Sequence, residues 1–193
     1  MAAWIEIPSD DAADADLKSK LDQVRAPNGT VDNVMRVHSL RPHTMIGHYS
    51  LYMSVLHNEG NTLPDWLLET VASYTSMLNN CAYSLANHWS NARHLIADPK
   101  RADKIHAALE AGAPERVFDG KELAFLRYAR KLTRSAGEMV REDTQALHDA
   151  GASDGEILEV NQVVCYFNYV NRLLNGLGVS LEGDKIGFYS TEG

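Results

Sequence analysis

Glu69-Thr-Val-Ala-Ser-Tyr-Thr-Ser-Met-Leu-Asn-Asn-Cys81-Ala-Tyr83-Ser84-Leu-Ala-Asn-His88 sets an acid, a thiol, a hydroxyl and an imidazole at helical spacings. At about 100° per residue, Cys81, Ser84 and His88 fall within roughly a 60° arc of one helix face. Asn79-Asn80 pairs two poor helix formers that favour cap positions, so one helix is predicted to close there and another to open at Cys81. A thiol in the first turn of a helix meets unsatisfied backbone N–H groups and the positive end of the macrodipole, which favour the thiolate. Glu69 lies on the preceding helix and reaches His88 only if the two helices pack as a hairpin.

The flanking sequence extends this helical reading. Residues 12 to 25 form a polar amphipathic pattern ended by Pro27-Asn28-Gly29, and Met45, Tyr49, Tyr52, Met53 and Leu56 make an apolar stripe from Pro42 to about His57. Thr62-Leu-Pro64-Asp65 predicts a helix from Leu63 to about Leu78, with Thr62 as its cap. The Cys81 helix should run towards Ala97 and stop at Asp98-Pro99. Further helices are predicted over 101–111, 120–136 and 141–150, and a capping box at Ser153-Asp-Gly-Glu156 opens a long one to about Asn175. No stretch alternates as a strand, which makes the chain all-α, a bundle of helix hairpins with about eight helices.

The chain has 193 residues, 45% of them hydrophobic, enough for a single domain over 1–193 with a substantial core. Eighteen basic against 26 acidic residues give a net charge of −8, which repels phosphate backbones and anionic lipid and points away from nucleic acid and membrane as partners. The N-terminus turns acidic where a signal peptide would be apolar, so a cytoplasmic location is expected, with Cys81 and Cys165 as free thiols. Cys165 sits among Val163, Val164, Tyr166 and Phe167 and is predicted to be core.

Glu69, eleven intervening residues and then Cys81, with His88 seven further on, resembles the core motif of the alkylhydroperoxidase D and carboxymuconolactone decarboxylase superfamily, Glu followed by Cys-x-x-Cys-x-x-x-His. Ser84 stands where that motif has its second cysteine. The segment from Asp154 to Gly178 resembles the closing helix of the peroxidase-related members, and the Pro and His pattern of residues 36 to 57 is similar to theirs, so the likeness covers roughly 25 to 180. It implies an alkylhydroperoxidase D-like helical domain, a homo-oligomer with Tyr49, Tyr52 and Met53 at its interface, and no cofactor.

The activity implied is reduction of a small hydroperoxide with an external thiol reductant. Cys81 would be nucleophile, His88 proton acceptor and donor, and Glu69 would orient His88. Ser84 cannot form the motif's disulfide, which leaves a one-cysteine cycle through a sulfenic acid. Tyr83 would donate to a substrate oxygen. The alternatives are acid–base chemistry on a lactone or carboxylate by Glu69 and His88, and a non-catalytic oligomeric relic. Asn161, Asn168, Arg172 and Asn175 form a polar stripe expected to face solvent or a subunit interface. His38, His43, His48 and His57 match no metal-ligand spacing, so a structural or interface role is expected and no metal site.

Overall fold

The computed structural model describes residues 1–26 and 29–189. The expected turn at Pro27-Asn28 lies outside the described residues. Among them there are nine α-helices and no strands: α1 Ala15–Gln23, α2 Asn33–Arg36, α3 Pro42–Leu56, α4 Asp65–Leu78, α5 Ala82–Ile96, α6 Pro99–Glu110, α7 Gly120–Arg134, α8 Arg141–Asp149 and α9 Asp154–Leu177. Eight of the nine match the predicted segments; the single-turn α2 carries too little periodicity to be read from sequence. None is long and apolar enough to cross a membrane.

Helix α4 is the centre, packing on α5, α7 and α9, and every residue from Leu67 to Ser76 is buried. A helix enclosed on all sides should be apolar throughout, yet this one carries Thr70, Ser73, Thr75 and Ser76. Each hydroxyl returns to the carbonyl four residues earlier, at 2.6 to 2.9 Å, so none enters the core unsatisfied. Leu68, Val71, Phe125, Leu126, Val160, Val163, Val164 and Phe167 fill the space around them.

The start of α4 departs from the capping pattern. Glu159 of α9 takes the backbone N–H groups of Thr62 and Leu63 and the Thr62 hydroxyl, each at 2.9 Å. Thr62 is therefore tied to α9, and the helix begins two residues later than expected, with Pro64 as N-cap. The Ser153 box forms as predicted, Glu156 N–H donating to Ser153 Oγ and Ser153 N–H to Glu156 Oε2. Asp98 both ends α5 and caps α6, accepting from Lys100 and Arg101 N–H, while Pro99 takes the first helical position.

Between α4 and α5 the chain reverses through Asn80, whose φ of 51° is left-handed. The polar stripe on α9 serves this turn. Asn79 Nδ2 donates to Asn168 and Asn171 Oδ1 at 3.1 Å, and Asn175 Nδ2 donates to Asn79 O at 3.1 Å, whereas Asn161 Nδ2 reaches the Tyr128 hydroxyl. Asn168 is thus half-buried at this corner, while Asn175 reaches the same turn from an exposed position, as a solvent-facing stripe would. Cys165 corrects a second expectation: it is exposed, because at 100° per residue it falls on the outer face of α9 while Val163, Val164, Tyr166 and Phe167 turn inward.

Beyond α9, residues 179 to 188 cross back over α2 and α5. Ser180 and Glu182 carbonyls accept from Asn33 Nδ2, and Asp184 accepts from Asn33 N–H at 3.0 Å and from the Tyr83 hydroxyl. Gly187 and Phe188 N–H donate to Asn87 and Asn91 Oδ1. Burial, reinforced by the nearby Asp184 carboxylate, raises Asp32 from the ordinary 3.8 to about 6.

Two stability tests follow from these features. Ala97 caps α5 at a left-handed φ of 54°, so Ala97→Gly is expected to stabilise by about 1 kcal/mol and raise the Tm by roughly 2–4 °C, read by thermal unfolding. Because Asp32 holds its proton more tightly when folded, its contribution is complete below about pH 4 and is lost as the pH rises through about 6. Asp32→Asn removes that loss: the variant should match wild type at pH 4 and exceed it at pH 8 by up to about 2 kcal/mol, measured by denaturant unfolding across that range.

Candidate functional site

Glu69 projects from the middle of α4 and is 2% exposed. A carboxylate at that depth requires partners, and α5 supplies two one turn apart. Glu69 Oε2 lies 2.7 Å from His88 Nδ1, and Glu69 Oε1 accepts from Asn91 Nδ2 at 3.1 Å. The hairpin that the Glu69–His88 pairing demanded is therefore formed. With Nδ1 engaged by the carboxylate, the imidazole has Nε2 left for chemistry. Its ring stands edge-on to Phe167 at 4.5 Å and to Tyr52 at 6.3 Å, and its side chain is 12% exposed.

His88 borders a cavity of about 80 Å³, room for a few waters or a small organic molecule. Its wall is mostly apolar and aromatic, with Tyr49, Tyr52, Tyr166, Val170, Leu174 and Phe188 among the lining groups; Ser84, Asn87, Asn91 and Asp32 supply polar atoms. Ser84 shares a 3.0 Å hydrogen bond with the Ser76 hydroxyl. Tyr49 and Tyr52, expected on an oligomer surface, lie in this wall, and Met53 is half-buried; the Tyr52 hydroxyl is 2.8 Å from His57 Nε2. The stripe on α3 faces its own protein: Met45 and Tyr49 pack against the α1 cluster, Tyr52 meets Tyr166 of α9, and the neighbouring His57 stacks on Phe188.

Cys81 does not line the cavity. It is the N-cap of α5, with extended backbone at φ −98° and ψ 91°, so the helical arc that groups Ser84 with His88 does not extend to it. It is 1% exposed and belongs to the hydrophobic core. Burial pushes its thiol above the ordinary range; hydrogen bonds from the backbone N–H of Ser84 and Tyr83 and from the Asn171 side chain pull the other way without overcoming it. The expected lowering by the helix terminus is thus outweighed by desolvation. Cys165 is also raised by burial, and its sulfur contacts Asn161 Oδ1 at 3.6 Å.

The Tyr83 ring is in the cavity wall, but its hydroxyl donates to Asp184 and accepts from Val34 N–H at 3.2 Å. The first bond fastens residues 179 to 188 to the site and the second fastens α2. Burial and the facing Asp184 hold the phenol well above its ordinary pKa. Asn91, Tyr52, Tyr166, Asp32 and Asp184 escaped the sequence reading. Only Asn91 carried a signal, three residues beyond His88 and seven beyond Ser84 on the same face. Among the described residues, no three His, Cys, Asp or Glu side chains converge as metal ligands would.

No protein-family model matches the chain, and no curated protein matches it. Solved structures do. An uncharacterized peroxidase-related protein from Ralstonia eutropha with an alkylhydroperoxidase AhpD core superposes with a TM-score of 0.79 at 21% identity, over 93% of this chain and 92% of that chain. An uncharacterized peroxidase-related protein from a Silicibacter species gives 0.77 at 23% identity, over 93% and 91%. The debrominase Bmp8 without ligand gives 0.70 at 14% identity, over 95% and 92%; Bmp8 has also been solved with 2,3,4-tribromopyrrole. Identities this low speak to architecture and not to chemistry. This all-helical chain has the alkylhydroperoxidase D-like fold, the architecture implied by the resemblance in residues 69 to 88.

Proposed function

We propose that this protein catalyses proton transfer on a small, largely apolar lactone or carboxylate, with His88 exchanging the proton at Nε2 and Glu69 holding the ring. The observation that carries this reading is the composition of the cavity wall: the imidazole of the Glu69–His88 pair is in it and the Cys81 sulfur is not. Glu69 fixes Nδ1 as the protonated nitrogen and stabilises the imidazolium that forms when Nε2 accepts a proton. Asn91 keeps the carboxylate aimed. Ser84 lines the cavity with its proton engaged by Ser76 Oγ, and the aromatic wall excludes water from a reacting carbon acid. The reaction belongs with the decarboxylase branch of the superfamily that residues 69 to 88 resemble. Assembly into a homo-oligomer is part of this reading, with exposed Leu158 and Tyr169 of α9 as apolar surface.

A second reading is supported by two observations. Similar structures are described as peroxidase-related, and three donors point at Cys81. In that reaction the Cys81 thiolate attacks the peroxide, the O–O bond breaks, an alcohol departs with a proton and leaves a sulfenic acid, and two equivalents of an external thiol reduce this to the Cys81 thiol with release of water and a disulfide. It needs a movement that brings substrate to a sulfur now 1% exposed.

The two readings separate on variants. With α-angelica lactone as probe, wild type should move the double bond into conjugation and incorporate solvent deuterium. His88→Ala should slow this by about 10² to 10⁴-fold and Glu69→Gln by about tenfold or more, while Cys81→Ala and thiol alkylation leave it unchanged. Consumption of cumene hydroperoxide with dithiothreitol that is lost in Cys81→Ala, alongside inertness towards the lactone, would establish the thiol reading instead.

A further inference from the structure

A second set of proton-bearing groups reaches the same cavity through Tyr166. Tyr166 of α9 lines it, and its hydroxyl is 2.8 Å from His48 Nε2. His48 Nδ1 is 2.9 Å from His38 Nε2, His38 Nδ1 is 2.8 Å from Thr44 Oγ1, and the Thr44 hydroxyl donates to Arg41 O at 2.8 Å. Tyr166, His48 and His38 are buried, whereas Thr44 is exposed. Each atom in this series is both a donor's and an acceptor's neighbour, which is the requirement for passing a proton by successive hops.

The direction follows from its outer end. A carbonyl only accepts, so the Thr44 proton points at Arg41 O and His38 Nδ1 must carry hydrogen. In a neutral ring His38 Nε2 is then bare and accepts from His48 Nδ1–H, which leaves His48 Nε2 to accept from the Tyr166 hydroxyl. Neutrality is enforced by burial, which lowers both histidines, His48 to about 3 with the neighbouring His38 adding to the effect. Among the described residues neither ring hydrogen-bonds a carboxylate; the flanking groups are the rings of Tyr166 and Tyr169. His88, with Glu69 on its Nδ1, is built the other way.

We propose that Tyr166, His48, His38 and Thr44 form a proton wire between the cavity and solvent, in which Tyr166 exchanges the proton with the substrate and the other three relay it. The use of the cavity as a reaction chamber rests on the function proposed above. One passage is balanced without redox change: a substrate proton bonds to Tyr166 Oη as the phenol proton passes to His48 Nε2, the His48 Nδ1 proton passes to His38 Nε2, the His38 Nδ1 proton passes to Thr44 Oγ1, and the Thr44 proton leaves to water. Burial holds Tyr166 well above an ordinary phenol, so the transfers on and off its oxygen are coupled and no free phenolate accumulates. Both imidazoles end in the opposite tautomer, and the reverse passage brings a proton in and resets them.

Two measurements need no substrate. In protein labelled with ¹⁵N-histidine, His38 and His48 should both be neutral and share one tautomer at pH 7; a cationic ring or opposed tautomers overturns the wire. His38→Gln keeps an acceptor for His48 Nδ1–H but cannot relay, so solvent exchange of that proton should slow at least tenfold. Damaged packing would speed exchange, and an unchanged or faster rate overturns the proposal. With α-angelica lactone, Tyr166→Phe and His38→Gln should lower kcat about tenfold or more at unchanged KM, and an unaltered kcat removes the wire from catalysis. A lactone left untouched by wild type counts against the proposed function alone, and the exchange rates still decide the wire.

Discussion

The architecture is organised around one buried charge. An ionised carboxylate on the most enclosed helix of the bundle would be prohibitively costly alone, and the cost is met only when His88 and Asn91 stand on an antiparallel neighbour at the right height. That condition fixes the register of α4 against α5. The left-handed turn at Asn80 and the asparagines of α9 that grip it then set the geometry of the corner. The Ser and Thr hydroxyls along α4 meet the same enclosure by bonding carbonyls of their own helix.

In the proposed chemistry the histidines at the cavity illustrate opposite uses of an imidazole. His88 is paired with a carboxylate, an arrangement that tolerates and supports positive charge at the ring. Among the described residues, His48 and His38 hydrogen-bond each other and two hydroxyls, in surroundings that reject charge. In the proposed chemistry a charge can reside at the first and not at the second, so that His88 would store a proton transiently and the other pair would pass one on.

Much of this was legible in the sequence, and the failures share a cause. The motif from Glu69 to His88 gave the hairpin and the pairing of its acid with its imidazole, because both depend on spacing along regular helices. Ser153 and Glu156 gave a correct helix start, because a capping box is local. Thr62 misled, because the carboxylate that claims it lies 97 residues away on Glu159. Cys81 misled in the same sense: a helix terminus lowers a thiol pKa by local electrostatics, but the surrounding helices withdraw it from water, and the larger effect is invisible in sequence. Cys165 departs from its apolar neighbours in the chain because residues adjacent along a helix point to different faces. Residues 179 to 188 have no periodicity at all, so nothing announced that they would roof the site.

That roof is held chiefly through its main chain. Asn87 and Asn91 seize the amides of Gly187 and Phe188, and Asn91 is the same side chain that steadies Glu69. At Gly187, where φ is +90°, an added Cβ would come within 2.9 Å of Ser90 Oγ. The latch therefore recognises a missing side chain rather than a present one: evolutionary drift can rewrite much of the tail's lettering, yet that single blank must stay blank for the clasp to shut, and whatever loosens the clasp is transmitted through one amide group to the acid beneath it.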